Sequence, residues 1–271
     1  MKGRIIFIIV LIPILSLSNG LYFLYEDGTN CTMYCDKDFY PRTNNTIAVY
    51  GDSRWNDKIH GKIVQLIENN RPSIVIHLGD MVNRGDNLRE WKKFFEITSS
   101  LRKNSYFQLV KGNHENPDIY FKKFFGYYNY YADYKGVRLI FLDLNGSVDF
   151  LKKYGNKNSI VFIHYPIYTV GPHYKDNLNL SRLNDVIKQK GIKLVISAHD
   201  HNYQRFVVGR ITYIVSGGGG AFLYDKVIYN EHLVSFYKKH HFLLLKLIGN
   251  SVEIKVIDLE NKVLEEFSVE F

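Results

Sequence analysis

The sequence predicts an α/β fold in which two β-sheets pack as a sandwich and helices cover their outer faces. Three observations carry this expectation. Short runs of β-branched and aliphatic residues alternate with helically spaced apolar patterns through the first two thirds of the chain. The remainder is mostly strand-like. At 271 residues and 46% apolar content, the chain can bury a core large enough for such layers.

The first twenty residues, MKGRIIFIIVLIPILSLSNG, differ from the rest. Lys2 and Arg4 precede an apolar run from Ile5 to Leu17, and Ser16 and Ser18 are spaced as a cleavage site requires. Residues 1–20 read as a signal peptide or as an uncleaved membrane anchor, since LYFLY at 21–25 prolongs the apolar character. The short apolar run favours cleavage. Both readings predict export, because Lys2 and Arg4 would stay inside. The folded part would be periplasmic, extracellular or anchored facing outside. Residues 21–45 form a polar, turn-rich lead-in that carries both cysteines, Cys31 and Cys35. An exported chain could oxidise them into a small loop.

The domain itself is expected over 46–271. TIAVYGD is a strand ending in a turn, and DKIHGKIVQLIENN a helix with Ile59, Ile63, Leu66 and Ile67 on one face. SIVIHLGD is a second strand, NLREWKKFFEITSSLRK a second helix, and YFQLVKGNHE a third strand. YYADY and VRLIFLDL read as paired strands, followed by the short helix DFLKKYG. Then come the strand SIVFIHYP, the helix LSRLNDVIKQKG with Gly191 past its end, and the strand IKLVISAHDH. FVVGRITYIVSGGGG contains a hairpin at Gly209–Arg210, and the C-terminal stretch supplies three more strands. The formal charge is +8, but the basic residues are scattered through the chain. They read as solvated helix faces rather than a nucleic-acid footprint, and their mild field favours anionic substrates.

Metal-capable groups recur where apolar runs stop. YGDSR gives Asp52, HLGDMVNRG gives Asp80, KGNHE gives Asn113 and His114, FIHYP gives His164, and SAHDH gives His199 and His201. Each alone has a plainer reading: Gly-Asp is a common turn, and a lone strand histidine such as His77 is usually a core residue, as are His60 and His232. Together they place ligands from five strands at the edge where strand carboxyl ends gather. Carboxylates, an amide and imidazoles without thiolate suit Zn, Mn or Fe. Two such ions sharing one water and clamping an in-line displacement are machinery for phosphoester hydrolysis.

The order GD, GD, GNHE, strand histidine and H-x-H resembles the calcineurin-like metallophosphoesterases, and HDHNYQR resembles their purple acid phosphatase-like branch. The resemblance spans most of the chain, from Val49 to SGGGG. It implies the four-layer α/β/β/α fold and a dinuclear centre of divalent or trivalent ions (Fe, Mn or Zn). Asp80 would bridge the ions, Asp52 and His201 would hold the first, and Asn113, His164 and His199 the second. His114 would contact phosphate or protonate the leaving oxygen, and Glu115 would orient a ligand or His114. The implied activity is hydrolysis of a phosphorylated small molecule by a metal-bridging hydroxide, with a phosphomonoester favoured and phosphodiesterase action on cyclic nucleotides or other diesters as the alternative. The alternative outside catalysis is a secreted metal- or phosphate-binding protein. Two departures stand out: position 54, where the family often has a histidine ligand, is Arg54, and the tyrosine ligand of the purple enzymes is replaced by Asn83. Arg54 is expected either on a phosphate oxygen or in a salt bridge with Asp86 or Asp52. His173 is a candidate phosphate contact, Tyr203 is expected at the cleft rim, and Gly217 to Gly220 as a loop that lets backbone approach the site.

Overall fold

Strand alternation dictates the layers, as a computed structural model describing residues 22–25, 42–144, 147–176 and 180–271 shows. In β2 (Thr46–Tyr50), Ile47 and Val49 point one way into the core between the sheets, while Ala48 and Tyr50 point outward under the helices. The same rule sorts β3 (Ile74–His77), β4 (Tyr106–Leu109) and β12 (His241–Ile248).

These strands join β13 (Ser251–Asp258) and β14 (Val263–Glu270) in a six-stranded sheet of order β14-β13-β12-β2-β3-β4. β2, β3 and β4 run parallel, and the C-terminal strands are antiparallel. The second sheet has eight strands, with β1 (Tyr22–Tyr25) at one edge. It continues with β5 (Tyr130–Tyr134), β6 (Val137–Leu142), β7 (Ser159–Ile163), β8 (Leu194–Ser197), β10 (Ile211–Ser216), β9 (Tyr203–Val208) and β11 (Leu233–Tyr237). Parallel pairing runs from β6 through β10.

Helices α1 (Asp57–Asn69), α2 (Leu88–Ile97), α3 (Ser99–Asn104) and α4 (Ile119–Phe124) cover the six-stranded sheet, where Trp91, Phe94 and Phe121 are buried. Helices α5 (Ser147–Tyr154) and α6 (Ser181–Gln189) cover the other sheet through Phe150, Leu151, Leu183 and Ile187. The expected four layers are therefore present, as is the hairpin, with Gly209 at φ 61 between β9 and β10.

Three local expectations need correction. The single helix expected over NLREWKKFFEITSSLRK is two, parted at Thr98, whose hydroxyl donates back to Phe94 O (2.8 Å). α4 and β11 were not expected: α4 is a short helix of mixed pattern, and β11 is a half-buried strand with little alternation. LYFLY, which prolongs the leader's apolar character in sequence, supplies β1, paired with β5. Residues 1–20, Cys31 and Cys35 lie outside the described residues. Among those described, no helix is long and apolar enough to cross a membrane.

Candidate metal centre

Parallel strands deliver their carboxyl ends to one edge, and the site forms where the edges of the two sheets meet. Asp52 follows β2, Asp80 follows β3, Asn113 and His114 follow β4, His164 follows β7, and His199 and His201 follow β8. Three of these turn the chain by adopting left-handed backbone: Asp52 at φ 56, Asp80 at φ 58 and His199 at φ 70. Such conformations cost energy for non-glycine residues and persist where the surroundings enforce them. The loops are packed tightly enough to do so. A Cβ on Gly112 would collide with Asp80 Oδ1, and one on Gly217 would lie 2.7 Å from Asp52 Oδ2. The glycine-rich loop thus approaches the site as expected.

The six expected ligands come together. Donor atoms of Asp80, His164 and His199 lie within 4.8 Å of one another, and so do those of Asp52, Asp80 and His201. Asp80, fully buried, belongs to both groups, as a bridging residue must. Asn113 Oδ1 lies 3.0 Å from His164 Nε2.

Hydrogen bonds fix which ring nitrogens face inward. His164 Nδ1 is 2.7 Å from Leu78 O, and His201 Nδ1 is 2.7 Å from Phe222 O. Carbonyls only accept, so each Nδ1 carries the proton and each Nε2 turns a lone pair to the site. His164 Nε2 then faces oxygens, Asn113 Oδ1 and Asp80 Oδ1 (3.5 Å). Oxygens facing Nε2 in a buried pocket call for a proton on the ring or a cation between them, and the donor set of Asp80, Asn113, His164 and His199 fits a metal ion. The His199 N–H donates to Asp52 Oδ2 (2.9 Å), and Asp52 Oδ1 is buried without a hydrogen bond.

Burial pushes the Asp80 carboxyl up, but His164, His114, Arg54 and the His114 N–H (3.0 Å to Oδ1) outweigh it and hold the group below its ordinary range. Glu115 shows the opposite direction. Burial and the neighbouring Asp80 charge push it up, against N–H donors from Asp80, Met81 and Gly112 at 2.7–2.9 Å. Its two oxygens tie the loop after β3 to the loop after β4, so Glu115 orients Asp80 rather than His114.

Arg54 lies in the group of Asp52, Asp80 and His201. It is 6% exposed, its Nε donates to Asp80 Oδ2 (3.2 Å), and its Nη2 lies 3.3 Å from His201 Nε2. Of the two expected salt-bridge partners, neither is used: Asp86 pairs with Arg84, and the partner of Arg54 is Asp80. A family model described as "calcineurin-like phosphoesterase" matches residues 46–203. The chain belongs to that family.

Solved structures share the fold. A purple acid phosphatase from yellow lupin (Lupinus luteus) seeds superposes with a TM-score of 0.75 at 14% identity, covering 92% of this chain. This chain spans 59% of the length of that enzyme. GAP50, the anchor in the inner membrane complex of Plasmodium, gives 0.69 at 17% identity over 83% of this chain and 88% of its own. A dimetal phosphatase from Danio rerio gives 0.59 at 14%, covering 87% of this chain and all of the other. No curated protein sequence matches this chain.

The rest of the cleft in this calcineurin-like phosphoesterase domain is built around the same cluster. The His114 ring is held by Nδ1 against Asn83 O (2.9 Å), with Nε2 3.9 Å from Asp80 Oδ2. The His173 ring lies tilted 4.1 Å from that of His199, and its Nδ1 lies 2.8 Å from Asp200, which raises its pKa against the opposing effect of burial. Tyr203 departs from expectation: it is fully buried between the sheets and donates to Glu265 (2.6 Å), because its strand faces the core at that register. Two acidic residues were missed. Asp200, inside the H-x-H motif itself, positions His173. Asp176, 2.9 Å from His199 Nε2, comes from a loop with no distinguishing pattern.

Proposed function

We propose that this chain hydrolyses phosphomonoesters of small molecules at the strand-end cluster. The convergence of Asp52, Asp80, Asn113, His164, His199 and His201, from five strands, carries this reading. Asp80, Asn113, His164 and His199 would hold an ion such as Zn, Mn or Fe, which would supply Lewis acidity toward water and the phosphate oxygens. The residues of the chain do the rest. Glu115 locks the Asp80 loop in place. The Asn83 carbonyl turns His114 so that Nε2 faces the cluster, where it holds the proton taken by the departing alkoxide. In the balanced reaction the water oxygen bonds to phosphorus, the bond to the ester oxygen breaks, and that oxygen leaves protonated.

A cleft of about 380 Å³ beside His199, lined by Tyr168, His173, Asp176 and Asn184 among others, suits a small organic group. The cationic or protonatable side chains of Arg54 and His114 at the Asp80 cluster and of His173 in this cleft favour the dianion of a monoester over the monoanion of a diester. The leader-like residues 1–20 support an exported setting for the activity.

The test is turnover of p-nitrophenyl phosphate and of bis(p-nitrophenyl) phosphate by chelator-stripped protein reloaded with Zn, Mn or Fe. Faster monoester hydrolysis is expected, and faster diester hydrolysis would overturn the substrate class. The ion pair between Arg54 and Asp80 favours one other reading, a secreted metal- or phosphate-binding protein without turnover. Metal uptake with no hydrolysis under any of these ions would establish it.

A further inference from the structure

The two departures from the family pattern, at positions 54 and 83, meet in space. The Arg54 guanidinium lies between Asp80 Oδ2 (3.2 Å to Nε) and His201 Nε2 (3.3 Å to Nη2). These two atoms belong to the group that would otherwise hold the first metal. The Trp55 indole covers the guanidinium at 3.7 Å. Trp55 is held in turn by Asn83, whose Oδ1 accepts the indole N–H at 2.7 Å. Trp55 adopts φ 72, a conformation a bulky residue takes only when its surroundings impose it. The backbone N–H groups of Ser53 and Arg54 both donate to Asp80 O (3.2 and 3.3 Å). The guanidinium is therefore clamped from its own backbone, from the stacked indole and from both polar partners.

The two halves of the cluster differ accordingly. At His164 a lone pair faces the oxygens of Asn113 and Asp80, an arrangement that calls for a proton on the ring or a cation. At His201 the equivalent lone pair already meets an N–H of a permanently charged side chain. We infer that this protein has a one-metal centre, in which Asp80, Asn113, His164 and His199 hold a single ion and the Arg54 guanidinium serves as the second cation. A divalent ion among Asp52, Asp80 and His201 would have to displace Arg54 from two partners and then sit beside its fixed charge. The inference rests on the metal-binding part of the function proposed above and is independent of the substrate.

Metal counting tests it. Full-length protein is stripped with chelator, reloaded with Mn²⁺ or Zn²⁺ and freed of excess ion. Its content is then measured by inductively coupled plasma mass spectrometry, and the Mn²⁺ form by electron paramagnetic resonance. The wild type is expected to retain one equivalent and to show the spectrum of an isolated ion. Arg54→Ala and Arg54→His, checked for native circular dichroism, are expected to retain two, with an exchange-coupled spectrum. Two equivalents in the wild type would overturn the inference and leave the proposed function standing. No retention would overturn both. Natively folded Arg54 variants that still hold one equivalent would show that Arg54 is not what excludes the second ion. The wild-type count decides even if neither variant folds.

Discussion

Two sets of histidines in this molecule are equally buried and do opposite things. His60, His77 and His241 lie in or against the core, at 2% exposure or less, and His164 and His201 lie at the site, at 1% or less. In the core set each Nε2 meets a hydroxyl, Tyr50 for His60 (3.2 Å), Ser53 for His77 (2.9 Å) and Ser216 for His241 (3.0 Å). A hydroxyl donates or accepts as required, so these rings are satisfied while neutral. In the site set Nδ1 is fixed by a carbonyl, and Nε2 is turned toward carboxylate or amide oxygen, or toward a guanidinium. Burial therefore does not distinguish a structural histidine from a ligand. What distinguishes them is whether the second nitrogen faces a partner that can adapt.

The strongest way to break this comparison is to remove the acceptor that makes the site histidines cation-seeking. Asp80→Ala is expected to abolish metal retention and to lower kcat/KM by about 10³-fold, the equivalent of roughly 4 kcal/mol of charge stabilisation. Retained metal and turnover would show that the imidazoles suffice. A milder intervention leaves every ligand in place. Glu115→Gln slackens the tie between the β3 and β4 loops and is expected to weaken metal affinity by about 10- to 100-fold, measured by competition with a chelating dye.

The smallest effect belongs to the core set and should spare the metal altogether. Burial holds the His60 pKa at about 3 and the His241 pKa at about 4, while both groups titrate near 6.5 when unfolded. A histidine depressed in this way contributes stability that is complete above the unfolded value. That contribution is lost as pH falls toward the folded value. The melting temperature is thus expected to drop by about 5 °C between pH 7 and pH 5. His60→Leu should reduce this slope and leave the retained metal count unchanged. A change in metal count would erase the distinction between the two sets.

The sequence made the proposed ligands legible because their signal is local and chemical: an apolar run, a turn, then a group able to bind cations. Asp52, Asp80, Asn113 and His164 could be read this way one strand at a time, and parallel connection then places them on one edge. The layers were legible for a related reason, since continuous apolar runs such as β2, alternating along the chain with helically spaced patterns, call for a sheet covered by helices. What sequence did not reveal depends on contacts between distant segments. The partner of Arg54 is 26 residues away. Tyr203, two residues past His201, was read as rim because its neighbours are polar, yet its strand register turns it into the core. Asp176 carries no mark of its role, which exists only once its loop is laid against His199.

The order of the sheets has a consequence for how the protein comes to be made. Every proposed ligand has been synthesised once His201 emerges, but β2, which presents Asp52, is flanked on one side by β12 through Ile47↔Leu245 and Val49↔Leu243. A nascent chain that has passed only the last ligand therefore owns the whole binding set with one margin of its carrier strand bare. Biosynthesis must run on through the final antiparallel strands before the pocket can close, so a ribosome stalled between the two would display a chain with all of the chemistry and none of the enzyme.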